Sequence, residues 1–229
     1  MIELLTYKDE SEFLDFCNGS INGAVIYTKF QTYKTGANDA LFWFSRNKNG
    51  QINAVYSLLD GCFTYEIDNT ADKKEIELFI SVMGVKQITE HPKYILKFAS
   101  NDNLTTAQDI TGENLKETFS VIFEDDDNRD SYFPLWYTDM SHKIRHGLIH
   151  GKAVFIDNKC VSVAFTSGES KDTAVISAVT TLKKYRKNGY GENVVVSLAN
   201  SINKQMFLMT DNENTAQWYK KIGFTSYNN

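Results

Sequence analysis

Arg186-Lys187-Asn188-Gly189-Tyr190-Gly191 stands between a strand-like apolar run, Thr173 to Thr180, and a run with helical spacing, Glu192 to Asn203. Two glycines one residue apart let the backbone turn tightly and bring its N–H groups close to a ligand. Where a helix starts directly after such a turn, those donors and the positive end of the helix dipole form a site for phosphate oxygens. Arg186 and Lys187 add two cations at the entrance. A dinucleotide fold would need a third glycine near Val194 and an acidic residue on the next strand, and neither is there. The Gly-Lys-Ser/Thr of a nucleotide-binding loop is also missing. Alone, the glycine pair reads equally well as an ordinary helix-entry turn.

Outward from the loop, the second half of the chain has clear grammar. Lys152 to Asp157 predicts a strand and Asp157-Asn158 a turn. From Cys160 to Thr166, Val161, Val163 and Phe165 alternate with Ser162, Ala164 and Thr166, a half-buried antiparallel pattern. After the loop, Val194, Val195, Leu198, Ala199 and Ile202 recur at helical spacing. Gln205 to Thr210 returns to strand character, and Asn214 to Ile222 predicts a helix closed by Gly223. The order is strand, strand, strand, helix, strand, helix.

The first half repeats that order faintly. Asp9 to Phe16 reads as helix, Leu41 to Ser45 and Ile52 to Leu58 as a hairpin about Asn47 to Gly50, and Cys62 to Ile67 as a third strand. Lys73 to Met83 (helix) and Val85 to Thr89 (strand) complete the series. The chain thus reads as two tandem halves, residues 1–108 and 109–229, joined near Asn101 to Thr111. Where the second copy has its glycine loop the first has Asp68-Asn69-Thr70-Ala71, so phosphate binding is expected only in the second.

The 229 residues are 42% apolar and 13% aromatic, enough for a substantial core. A net charge of −5, from 24 basic and 29 acidic side chains, argues against a nucleic-acid binder. Cys17, Cys62 and Cys160 have no metal-like spacing and read as reduced thiols. No stretch approaches the roughly 18 apolar residues of a membrane helix. A soluble cytoplasmic protein is expected, a monomer or homodimer with no nucleic-acid or membrane partner.

Read with the tail Asn212-Glu213-Asn214-Thr215-Ala216-Gln217-Trp218-Tyr219-Lys220-Lys221-Ile222-Gly223-Phe224, the loop resembles the GNAT superfamily of acyl-CoA-dependent N-acyltransferases. That family's phosphate loop is Gln/Arg-x-x-Gly-x-Gly/Ala after a strand ending Val-x-Thr, matched by Val179, Thr180 and Thr181. Its second motif, an Asn, a Tyr seven residues on, then Gly-Phe, is matched by Asn212, Tyr219, Gly223 and Phe224. The resemblance covers roughly residues 113–229, and the first half resembles a degenerate copy. It implies an α/β (α+β) fold, with a mixed, mostly antiparallel sheet flanked by helices and shared by the two halves.

The resemblance also implies direct transfer of an acetyl group from acetyl-CoA, the co-substrate, to a primary amine on a small molecule or peptide. The cleft between the halves would supply part of the acceptor site. Arg186, Lys187, Asn188, Gly189, Tyr190 and Gly191 would cradle the diphosphate, Ala178, Val179 and Thr180 would pair with the pantetheine arm, and Asn212 would contact coenzyme A. Tyr219 would protonate the departing thiolate. Against these stand plainer readings: Tyr219 as a packing residue beside Trp218, Asn212 as a helix cap, and the whole as a non-catalytic acyl-CoA sensor or interaction module.

Other clusters carry less. His142, His146 and His150 are spaced like metal ligands, but Gly147 interrupts them and no carboxylate completes a shell, so no metal is expected. Arg145-His146 is a candidate neighbour of the acceptor site and Glu169 a candidate base. Glu124 to Asp127 with Asp130 read as a solvated loop, and Tyr132, Phe133, Trp136 and Tyr137 as the apolar face of a helix.

Overall fold

Phe42, Trp43 and Phe44 show how the first half is built. Consecutive strand residues point to opposite faces, and Phe42 and Phe44 enter one core cluster while Trp43 enters another. The computed structural model describes residues 1–35, 40–89, 92–103 and 105–227. Contacts divide the chain into two units, Met1–His91 with Gly168–Thr173, and Pro92–Ser167 with Ala174–Asn229.

The first unit runs β1 (Ile2–Leu4), α1 (Glu10–Phe16), α2 (Ile21–Tyr33), β2 (Ala40–Arg46), β3 (Ile52–Leu59), β4 (Cys62–Ile67), α3 (Lys73–Val82) and β5 (Gln87–Ile88). Its five strands lie in sequence order, antiparallel except that β4 and β5, joined through α3, are parallel. Phe13 of α1 and Phe30 of α2 pack edge to face on Phe42, and Phe79 of α3 packs on Trp43. The strands and helices expected here are present, and α2 is an addition. Ile21, Ala24, Ile26, Thr28 and Phe30 are all buried, so α2 is covered on several sides and shows no single apolar stripe. Its visible mark is the cap Ser20, which accepts from Gly23 N at 3.2 Å.

The second unit runs β6 (Tyr94–Phe98), β7 (Gln108–Asp109), α4 (Leu115–Ile122), α5 (Arg129–Arg145), β8 (Gly151–Ile156), β9 (Lys159–Glu169), β10 (Thr173–Thr181), a single turn at Lys183–Tyr185, α6 (Tyr190–Ser201), β11 (Gln205–Thr210), α7 (Glu213–Lys221) and β12 (Phe224–Ser226). Its seven strands are ordered β12-β6-β11-β10-β9-β8-β7. From β8 to β11 the elements follow the expected order. Two separate sheets replace the one shared sheet of the sequence reading.

The division by contacts falls at residues 91/92, because β6 belongs to the second sheet. Leu96 pairs with Leu208 of β11 on one side and with Ser226 of β12 on the other. The short last strand therefore closes on a strand from far upstream. Asn101 Nδ2 donates to Ile222 O at 3.1 Å and Ala99 N to Gly223 O at 2.9 Å, fixing the corner between α7 and β12. Gly223 has φ +106°, and a Cβ there would run into the carbonyl oxygen of Ser100. Only glycine satisfies both conditions.

Leu96 is fully buried, so Leu96→Ala should cost about 2–5 kcal/mol of unfolding free energy in urea titrations. Gly223→Ala should also destabilise, through strain and the clash with Ser100. Wild-type stability in both variants would contradict the placement of β6.

Candidate functional site

α6 begins on Gly189, whose φ of +80° is left-handed, and no side chain caps the helix. The first backbone bond back into the turn is Asn193 N to Gly189 O at 2.9 Å. The amides of the first turn, which a helix cannot pair internally, are thus left for an external acceptor. Lys187 is also left-handed, at φ +63°. Asn188 folds back, its Nδ2 donating to Tyr185 O and Arg186 O at 3.0 and 3.1 Å. Arg186 Nε ties the loop to Thr181 O at 3.0 Å. A Cβ placed on Gly189 would meet nothing within 4 Å, so the space above the cradle is open.

α3, at the matching place in the first unit, is closed. Asp72 caps it, accepting from Lys74 N at 3.0 Å and Glu75 N at 3.3 Å. A carboxylate already satisfies the donors that an anion would need there.

In front of the open cradle lies a cleft of about 500 Å³, lined by Val179, Thr180, Thr181, Tyr185, Arg186, Lys187, Gly189, Tyr190, Gly191, Glu192, Thr215, Trp218 and Tyr219. Eight of the expected site residues meet in it. Ala178 does not line it, and Asn188 is spent on holding the loop. Glu192 is held by Asn103 Nδ2 at 2.9 Å. The acidic run is not wholly solvated, because Glu124 accepts from Lys183 N at 2.9 Å and Asp125 pairs with Lys183 Nζ at 2.6 Å. Those contacts anchor the entrance of the loop.

A second cleft, about 330 Å³, shares Val179, Thr215 and Tyr219 with the first. Val175 through Val179 and Leu208 through Thr210 line it as consecutive residues. Side chains alternate along a strand, so consecutive lining residues mean that the cleft meets strand edges rather than one face. Ala178, with φ +48°, kinks β10 at this place. A non-glycine residue in the left-handed region costs roughly 1–2 kcal/mol, and such strain clusters at functional positions.

α7 brings the remaining groups. Asn212 is the cap, its Oδ1 accepting from Thr215 N at 3.0 Å, and it lines neither cleft. Asn212 thus serves as the helix cap. Tyr219 is 6% exposed, with its ring 4.7 Å from Trp218 and 5.3 Å from Phe224. Burial pushes its phenol well above the ordinary range, which keeps it protonated.

Tyr185, Glu192, Thr215 and Trp218 are cleft residues that the sequence reading did not assign. For Thr215 the available signal was its spacing of one helical turn before Tyr219. Arg145, His146 and Glu169 line neither cleft. Trp136 and Tyr137 pack on the core, as expected of a helix face. Among the described residues, no helix is long and apolar enough to cross a membrane, and no group of His, Cys, Asp or Glu is arranged to hold a metal.

An uncapped helix start after a kinked strand, with a second cleft along the edges of β10 and β11, is set in an α/β fold. Residues 157–229 match the family described as FR47-like protein. A Drosophila protein superposes with a TM-score of 0.63 at 10% identity, over 99% of this chain and 95% of that one. A tandem GNAT protein from the clavulanic acid biosynthesis pathway gives 0.61 at 9%, over 99% and 95%. A GNAT-family acetyltransferase from Colwellia psychrerythraea gives 0.56 at 12%, over 99% and 96%. No curated protein matches the chain in sequence. The chain has the GNAT superfamily fold, in two halves.

Gly189→Val would force a β-branched residue into the left-handed region and set its side chain over the cradle. Coenzyme A affinity, read by calorimetry, should fall at least tenfold, while Asp72→Ala in the first unit should leave it unchanged. Equal binding by Gly189→Val and wild type would refute the cradle.

Proposed function

We propose that the second half transfers an acetyl group from acetyl-CoA to a primary amine of a small molecule or peptide. The observation that carries this reading is the joining of an open amide cradle to a second cleft through the shared walls Val179, Thr215 and Tyr219. The residues present fit the co-substrate: unpaired amides and two cations for a diphosphate, and exposed strand edges for an amide-bearing arm.

When bound, acetyl-CoA supplies the acyl group already activated as a thioester. The amides of Gly189, Tyr190 and Gly191, flanked by Arg186 and Lys187, hold the phosphate end. Val179 and Thr180 take the arm in the manner of an added strand, and the Val179 N–H donates to the carbonyl oxygen as negative charge grows there. A nitrogen–carbon bond forms, the carbon–sulfur bond breaks with its electron pair going to sulfur, and the nitrogen loses a proton to solvent.

Tyr219 faces that sulfur as a neutral phenol. A thiol has an ordinary pKa of about 8.5 and a phenol of about 10, and burial widens this gap. Tyr219 therefore acts chiefly by donating a hydrogen bond to the thiolate, and solvent completes the protonation. Three free cysteines suit a reducing compartment, and the cytoplasm is the proposed location.

A coenzyme A release assay against a panel of primary amines tests the reading. Tyr219→Phe should lower kcat by about 10²-fold, the lower end for an acid–base group, with the dissociation constant for acetyl-CoA nearly unchanged. Tight binding with no turnover on any amine would make the protein an acyl-CoA sensor instead. Activity should not fall between pH 7 and 9 through ionisation of Tyr219, because its folded pKa is raised; a loss in that range that Tyr219→Phe removes would contradict the assignment.

A further inference from the structure

Thr215 and Tyr219 are one turn apart on α7, which puts both side chains on one face of the helix. Both line both clefts. Thr215 bonds through its backbone N–H to Asn212 Oδ1, and Tyr219 makes ring contacts with Trp218 and Phe224. Neither hydroxyl bonds to any described residue. The Tyr219 ring is buried, but its O–H is not one of the enclosed polar atoms without a partner, so it opens toward the clefts that Tyr219 lines. Two donors one turn apart without internal partners, where the two clefts share walls, offer a place for an acceptor atom of a ligand.

The chemistry of a thioester says which atom. Its oxygen and sulfur diverge from one carbon, so donors on opposing elements address them separately. β10 offers a backbone N–H toward the oxygen, and α7 offers hydroxyls. We infer that Thr215 is a second hydrogen-bond donor to the departing sulfur, acting with Tyr219 to stabilise it as a thiolate; this rests on the acyl-CoA reading above. Threonine suits the task because β-branching restricts its χ1, so little freedom is lost when the hydroxyl is held in place. A thiolate, being charged, strengthens each bond it accepts.

Coenzyme A with its free thiol, bound to the full chain, provides a test that needs no acceptor. The ultraviolet absorbance of the thiolate is followed against pH. In the wild type the bound thiol should ionise below the usual value of about 8.5. Thr215→Val, which keeps the shape and removes the hydroxyl, should raise the midpoint by about one pH unit, as expected for one charge-assisted bond. Thr215→Ser should restore it, and the double variant with Tyr219→Phe should bring it to the value of free coenzyme A. Loss of kcat of about tenfold in Thr215→Val, with unchanged KM for acetyl-CoA, should accompany the shift.

If Thr215→Val binds coenzyme A normally and titrates like the wild type, the inference fails. Should Thr215→Val prove unstable in thermal melts, Thr215→Ala, which also lacks the hydroxyl, decides, since a structural role alone would leave the thiol midpoint of every binding-competent variant in place. A wild-type chain that does not bind coenzyme A would instead remove the reading beneath.

Discussion

A helix that starts on a glycine cannot cap itself, and the rest of the site depends on that fact. The first-turn amides of α6 have lost water on the helix side without gaining a side-chain acceptor. Their dipole adds a positive end, and Arg186 and Lys187 add charge. An anion placed there completes bonds that folding left open. The surrounding loop keeps the opening clear: Asn188 and Arg186 turn inward to bond the loop's own carbonyls instead of filling the space.

The comparison with α3 makes the same point from the other side. Both units run strands into a helix and then a further strand, and in the first unit the strands flanking α3 are parallel neighbours. In the first unit a single residue, Asp72, supplies the carboxylate that α6 lacks. Against glycine, a capping side chain stabilises a helix by only about a few tenths of a kcal/mol, and the capped start has no donors to spare. Substituting glycine for a capping side chain exchanges stability for a binding surface. The two helix starts thus differ at one position of the cap, closed by a carboxylate in the first unit and left open in the second.

Chemistry beyond binding depends on where the strands part. The left-handed Ala178 interrupts β10 between its buried first half and its more open end. In the proposed reaction the edges so exposed would let a chain-like ligand reach Tyr219, whose phenol burial keeps neutral. A neutral donor of raised pKa is poorly suited to give up its proton outright and well suited to hold a hydrogen bond. A second hydroxyl on the same helix face fits a leaving group stabilised as an anion.

Elements whose signal is local could be read from the residues alone. The glycine pair, the alternation of Val161, Val163 and Phe165, and the helical spacing from Val194 to Ile202 were legible because each depends on residues a few positions apart. So was the glycine turn ahead of α6. Other features depend on distant neighbours. β6 carries no mark of its place between β11 and β12, since its partners lie more than a hundred residues away. The apolar surroundings of α2 hid it for a related reason: burial on several sides erases the period that betrays a helix. The kink at Ala178 and the clefts that Thr215 and Tyr219 share arise from backbone geometry and packing, which residue identity alone does not encode. Asn212 shows this most simply: the sequence allows several roles for the same side chain, and the 3.0 Å bond from Thr215 N that makes it a cap exists only in the folded helix.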